Sequence, residues 1–135
     1  MSKSSQGTCL CKQVSFEIEG DFDSFLLCHC KFCQKDTGSA HAANLFSTQA
    51  KIKWLSGKDK RKTFNLPSTK HIKTFCSNCG SALPSEQMEG KLLVVPAGSL
   101  DTEISIKPDA QIFFSSKATW HENLDEIPKF DKLPY

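Results

Sequence analysis

The sequence predicts a mainly β protein built from many short strands. Three observations lead there. Short runs alternate apolar and polar residues with period two, turn-forming residues recur at short intervals, and no stretch sustains the 3.6-residue period of a major helix.

Taken in order, the elements begin after a polar N-terminus. Residues 1–7 carry no apolar pattern and read as a frayed tail. Val14, Phe16 and Ile18 alternate with Ser15, Glu17 and Glu19, the pattern of a half-buried strand. Phe22 to His29 reads as a second extended segment, and Cys33 to Thr37 as a single helical turn. Ile52 and Trp54 alternate with Lys51 and Lys53, and Phe64 and Leu66 flank Asn65, which predicts two more short strands. Lys70 to Phe75 leads into a turn at Cys76. Met88 to Lys91 followed by Leu92 to Val95 reads as a hairpin, and Gln111 to Ser115 as a late strand after Pro108. Gly20-Asp21, Ser56-Gly57, Pro67-Ser68 and Pro108-Asp109 punctuate the pattern as turns.

The 135 residues fit one domain, residues 1–135, large enough for a modest core without disulfides. Charge is nearly balanced at +2, with lysine and arginine dispersed, so composition predicts no nucleic-acid partner. The N-terminus lacks an apolar signal region, and runs such as Leu92 to Val95 are far too short to span a bilayer. The expectation is a cytoplasmic protein with no membrane partner. In a reducing compartment, clustered cysteines read as metal ligands or redox groups rather than structural disulfides.

Seven cysteines fall into three clusters: Cys9-x-Cys11, Cys28-x-Cys30-x-x-Cys33, and Cys76-x-x-Cys79 followed by Gly80. Residues i and i+2 of a strand share a face, so Cys9 and Cys11 would present their sulfurs side by side. A C-x-x-C bend does the same, and glycine suits its positive φ. Structural zinc takes four ligands, whereas catalytic zinc commonly takes three and keeps a position open. Seven divides as four plus three, and spacing leaves two divisions open. Cys9, Cys11, Cys76 and Cys79 form the closed site and Cys28, Cys30 and Cys33 the triad, or the two C-x-x-C turns pair and leave Cys9, Cys11 and Cys28. Spacing favours the first, because its triad is local in sequence. Two simpler readings fit less well. Seven buried thiols would not cluster this tightly, and a redox C-x-x-C belongs beside a βαβ pattern that is missing here.

The clusters and their surroundings resemble the family of glutathione-dependent formaldehyde-activating enzymes, which includes centromere protein V. The matching segments are Gly7-Thr8-Cys9-Leu10-Cys11, Cys28-His29-Cys30-Lys31-Phe32-Cys33-Gln34-Lys35-Asp36-Thr37-Gly38-Ser39, Phe75-Cys76-Ser77-Asn78-Cys79-Gly80, Ala97-Gly98-Ser99-Leu100-Asp101, Ile112-Phe113 and Ser116-Lys117-Ala118-Thr119-Trp120. They span roughly residues 6–120. The resemblance implies a β-tent of short twisted antiparallel sheets pinned by a structural zinc. It implies that Cys9, Cys11, Cys76 and Cys79 hold that zinc, and that Cys28, Cys30 and Cys33 hold a second, catalytic Zn2+. The implied activity is reversible addition of a thiol, typically glutathione, to formaldehyde or a related small aldehyde, in reverse a carbon–sulfur lyase reaction. Two features depart from the pattern: Gln111 stands where the family has histidine, and the chain is shorter than the founding enzymes.

The chemistry needs a thiolate at neutral pH, and a free thiol with a pKa near 8.5 supplies little of it. Three thiolates outweigh the charge of a zinc ion, which favours positioning a thiol over activating water. His29 would point away from its cysteine neighbours and reads as a surface or packing residue. His41, His71 and His121 are isolated in sequence, and nothing there selects one as an acid or base. Lys35 and Lys117 read as solvated surface and Trp54 and Trp120 as core or pocket wall. The competing reading is a non-enzymatic, zinc-stabilised scaffold that binds a protein partner. A scaffold needs only the closed site, so an intact third cluster favours the enzyme.

Overall fold

The computed structural model describes residues 3–135. Among them, strands β1 (Ser4–Thr8), β2 (Ser15–Glu19) and β5 (Lys51–Ser56) form a three-stranded sheet in the order β1-β2-β5. A five-stranded sheet runs β11-β3-β4-β10-β9, from β3 (Ser24–Cys28), β4 (Ala42–Ser47), β9 (Ser85–Gln87), β10 (Leu92–Pro96) and β11 (Ala110–Ile112). The third sheet, β6-β7-β8, is made of β6 (Arg61–Asn65), β7 (Ile72–Cys76) and β8 (Ala82–Leu83). The single α-helix among the described residues, α1 (Lys31–Thr37), follows β3. The fold is mainly β, in short antiparallel sheets with one exception. β11 runs parallel to β3, because the long excursion from β4 to Pro108 brings the chain back along the same direction.

Alternation places Val14, Phe16 and Ile18 at zero exposure in the core, where Phe16 meets Trp54 edge to face at 5.6 Å. Leu45, Leu93 and Val95 complete this core from the five-stranded sheet. The Arg61 guanidinium lies 4.2 Å from the Trp54 ring centre and caps its outer face.

Several sequence expectations change. Residues 4–7 are not a frayed tail: Ser4–Thr8 pairs antiparallel with β2 from Ser4↔Glu19 to Thr8↔Ser15. Thr102 and Asp101 hold the same strand from its outer side, through Gln6 N to Thr102 Oγ1 (2.9 Å) and Thr8 Oγ1 to Asp101 (2.8 Å). Gly7 is required there, since a Cβ would collide with the Phe16 ring and the Ser99 carbonyl. Residues 1 and 2 lie outside the described residues. Cys9 and Cys11 sit in the turn after β1 rather than within a strand, with Lys12 at φ +67° closing it. The late strand stops at Ile112, because Phe113 adopts φ +52° and a 3-10 turn, Phe114–Ser116, follows. Trp120 is exposed, not pocket wall. The central strand β4, Ala-Ala-Asn-Leu-Phe-Ser, has no clean alternation and gave no signal in the pattern.

Candidate metal centres and the cleft beside them

The first cluster joins two distant segments. β1 delivers Cys9 into a tight turn in which Cys9 N–H donates to Val14 O (3.0 Å) and Val14 N–H to Cys9 Sγ (3.3 Å). β7 ends at Cys76, and a turn closed by Gly80 N–H to Cys76 O (2.7 Å), with Gly80 at φ +78°, presents Cys79. Ser81 ties the turns together by accepting from Leu10 N–H at 2.8 Å. The four sulfurs of Cys9, Cys11, Cys76 and Cys79 lie within 4.8 Å of one another. Cys9 and Cys11 Sγ are 3.5 Å apart, and Cys11 and Cys76 Sγ 3.9 Å. A tetrahedron of sulfurs about 2.3 Å from zinc has edges of roughly 3.8 Å, so the donor set fits zinc in both chemistry and spacing. The electrostatics of the group are mixed. Burial raises the Cys9 thiol, whereas the Asn78 side chain lowers Cys11. The Ser81 hydroxyl, 3.2 Å from Cys79 Sγ, and the Ser81 backbone N–H lower Cys79 to about 5.

The second cluster is local. Cys28 ends β3, Cys30 caps α1 and Cys33 lies in its first turn. The helix starts earlier than sequence patterning suggests, because Cys30 Sγ accepts from Cys33 N–H at 3.3 Å. Gly38 in the left-handed region ends it, donating to Gln34 O at 2.8 Å. The sulfurs of Cys28, Cys30 and Cys33 lie within 4.8 Å of one another. Among the described residues no histidine or carboxylate brings a fourth donor atom into that group. Burial raises the Cys28 and Cys33 thiols. Burial also opposes ionisation of Cys30, but the Cys33 N–H donor and the neighbouring thiols outweigh it and lower that group.

Cys33 lines a cleft of about 210 Å³ between α1, the five-stranded sheet and β7. Asp36 and Thr37 of α1, Asn44 of β4, and His71 and Lys73 of the β7 segment share its wall. Asp36 accepts from His71 Nε2 at 2.8 Å and pairs with Lys73 Nζ at 3.2 Å.

The family described as glutathione-dependent formaldehyde-activating enzyme matches residues 4–116. The chain belongs to that family. Its fold is similar to a crystal structure of a Rhodobacter sphaeroides protein, a structural-genomics target, with a TM-score of 0.55 and 19% identity over 78% of this chain and 98% of that one. A search of curated proteins found no match.

Within this member of the formaldehyde-activating family, His29 is fully buried and packs behind the three-cysteine loop. Its ring meets His41, Phe114 and His121 at centroid distances of 5.0, 5.3 and 5.5 Å. Gln111 Oε1 lies 2.8 Å from His29 Nε2. Burial, then the neighbouring His29 and His121, hold the His41 pKa down. Lys117 is engaged by Glu122 and Lys35 stands on the surface. Sequence reasoning missed both the histidine cluster and the Asp36–His71 pair. Their members are far apart in the chain, and no local spacing signals them.

Proposed function

We propose that the chain is a zinc-dependent carbon–sulfur lyase that reversibly forms and cleaves an S-hydroxymethyl thiol. Its substrates are a small thiol such as glutathione and formaldehyde or a related aldehyde. Cys9, Cys11, Cys76 and Cys79 would hold a structural zinc, and Cys28, Cys30 and Cys33 a catalytic one. The observation that carries the reading is the three-sulfur group itself, with Cys33 on the wall of the cleft and no fourth protein donor beside it among the described residues. Bound there, zinc supplies a thiol kept in its ionised form at neutral pH. The chain's residues do the rest. Cys30 and Cys33 are held in register by the helix cap, and Gln34 fixes the loop by donating to His29 O (2.7 Å) and Ser116 O (3.0 Å). The small cleft admits an aldehyde and the sulfur end of a thiol, while 210 Å³ is below the usual range of pockets that enclose a whole drug-sized ligand. A tripeptide thiol would therefore keep part of its length outside.

Cobalt substitution tests this. Added glutathione should alter the spectrum of the three-cysteine site and leave the four-cysteine site unchanged, more strongly as pH rises, because binding releases the thiol proton. Thiol-dependent formaldehyde exchange above a protein-free control should vanish in Cys30→Ser. If no thiol from a broad panel perturbs the cobalt spectrum, the scaffold reading replaces this one.

A further inference from the structure

Addition of a thiol to an aldehyde moves one proton from sulfur to oxygen, and the cysteine groups offer nothing to carry it. The cleft that Cys33 lines also holds a pair that does. Cys33 and Asp36 are three residues apart on α1, so both face the same way. His71, the residue before β7, spans the gap and bonds Asp36 Oδ2 through Nε2 at 2.8 Å. Lys73 takes the other carboxylate oxygen at 3.2 Å, and its Nζ also donates to the Asp36 carbonyl at 2.7 Å. The carboxylate is thus fixed on both oxygens. The side chains of Asp36 and His71 are 16% and 21% exposed, so the pair is shielded but reachable from the cleft. The Phe32 ring, 5.9 Å away, flanks the imidazole.

We propose that His71, oriented by Asp36, is the acid–base catalyst of adduct formation and cleavage. The carboxylate keeps the imidazole proton on Nε2 and leaves Nδ1 as the free base. Nδ1 takes the proton that the thiol gives up on binding and holds it until the carbon–sulfur bond forms. The carbonyl π pair moves onto oxygen, and the same proton is returned to that oxygen. One thiol and one formaldehyde thus become one S-hydroxymethyl thiol with nothing left over. Cleavage runs the steps backwards. The charged groups that share the cleft with the ring are Asp36 from α1, Lys73 from β7 and Lys70 from the preceding loop.

The inference rests on the lyase reading, and one experiment separates the two. Exchange between formaldehyde and its glutathione adduct is followed by NMR for the zinc-loaded wild type, His71→Gln and Asp36→Asn. Positioned general acid–base catalysis contributes about 10²–10⁴-fold. His71→Gln should lose a factor of that order in kcat, with KM for the thiol little changed and both zinc ions retained. Asp36→Asn should lose most of it with His71 still present, because the amide donates to Nε2 and drives the proton to Nδ1. Nitrogen NMR of the histidine rings should show that change of tautomer, which loss of packing alone would not produce. Asp36→Glu should recover part of the rate. A zinc-loaded His71→Gln with wild-type kcat overturns the inference and leaves the lyase reading standing. If His71→Gln does not fold, wild-type kcat in Asp36→Asn overturns it equally. A wild type without thiol-dependent exchange overturns both.

Discussion

The two cysteine groups share a ligand chemistry and differ in what they hold together. Cys9 and Cys11 belong to the turn after β1, Cys76 ends β7 and Cys79 lies in the turn after it, so the four-cysteine group staples two different sheets. Cys28, Cys30 and Cys33 come from one strand end and one helical turn, and the group staples nothing beyond its own loop. Metal bound at the first would be a long-range cross-link coupled to folding, while metal bound at the second would organise only its own loop. Cysteine count does not distinguish the two groups, whereas the sequence distance each one spans does.

The sharpest way to break this comparison is to remove one ligand from each group. In zinc-finger peptides, metal binding is worth about 10–16 kcal/mol of folding free energy. Cys76→Ser should therefore leave little soluble folded protein, because Cys76 is fully buried and ends the strand that carries the staple. Cys30→Ser should stay folded. Serine is a good N-cap, so α1 keeps its first-turn hydrogen bond while the metal site loses a ligand. Melting curves and metal analysis of both variants decide the matter. An unfolded Cys30→Ser beside a folded Cys76→Ser would mean that the roles are exchanged.

Acid should separate the two groups next. Protons compete with zinc for thiolates, so groups with raised pKa surrender the metal at higher pH. In the triad, burial raises two of the three thiols, Cys28 and Cys33. In the four-cysteine group, Cys79 is lowered to about 5 and Cys11 is also lowered, against a raised Cys9. A lowered pKa means that the thiolate persists as pH falls toward that value, and a raised one that it is protonated well before. Zinc should leave in two steps on acidification, the triad ion first and the four-cysteine ion at lower pH. A chromogenic chelator with mass spectrometry reads the order, and simultaneous release would erase the distinction.

What the sequence made legible follows the same division between local and distant. The strand at Val14, Phe16 and Ile18 was readable because one face is buried and the other wet, and alternation is the direct imprint of that. β4 was not, because it lies in the middle of the five-stranded sheet and its buried residues, Ala42, Leu45 and Ser47, do not alternate with exposed ones. The N-terminal strand was hidden by polarity: Ser4, Ser5 and Gln6 sit at a sheet edge, where backbone pairing and Thr102 do the work of side-chain burial. The cysteine clusters were legible because their own spacing carries the chemistry. The Asp36–His71 pair and the edge-on and tilted packing of His29, His41 and His121 were not, since each histidine became meaningful only when tertiary packing supplied its neighbour.

The smallest expected effect lies behind the triad, at Gln111. His29 stands between two of the three cysteines, fully buried, and Gln111 Oε1 is the partner of its Nε2. Its Nδ1 has no hydrogen-bond partner. Gln111→Ala would leave Nε2 unpartnered as well, and an unmade buried hydrogen bond costs about 1–3 kcal/mol. The loss should fall on one side of the comparison only. The strain reaches Cys28 and Cys30 through the backbone that carries His29, whose N–H is held by Ile112 O at 2.9 Å next to the altered residue. The triad should release zinc to a chelator sooner, while the four-cysteine group, tied to β1 and β7, should hold its metal as before. Gln111→His, which can offer an imidazole nitrogen to His29 Nε2, should cost less than Gln111→Ala. Denaturant melts and site-resolved zinc release of the two variants measure both effects. Equal stability of Gln111→Ala and wild type would show that His29 finds another partner, and faster release from both metal sites would show that the two groups are not independent.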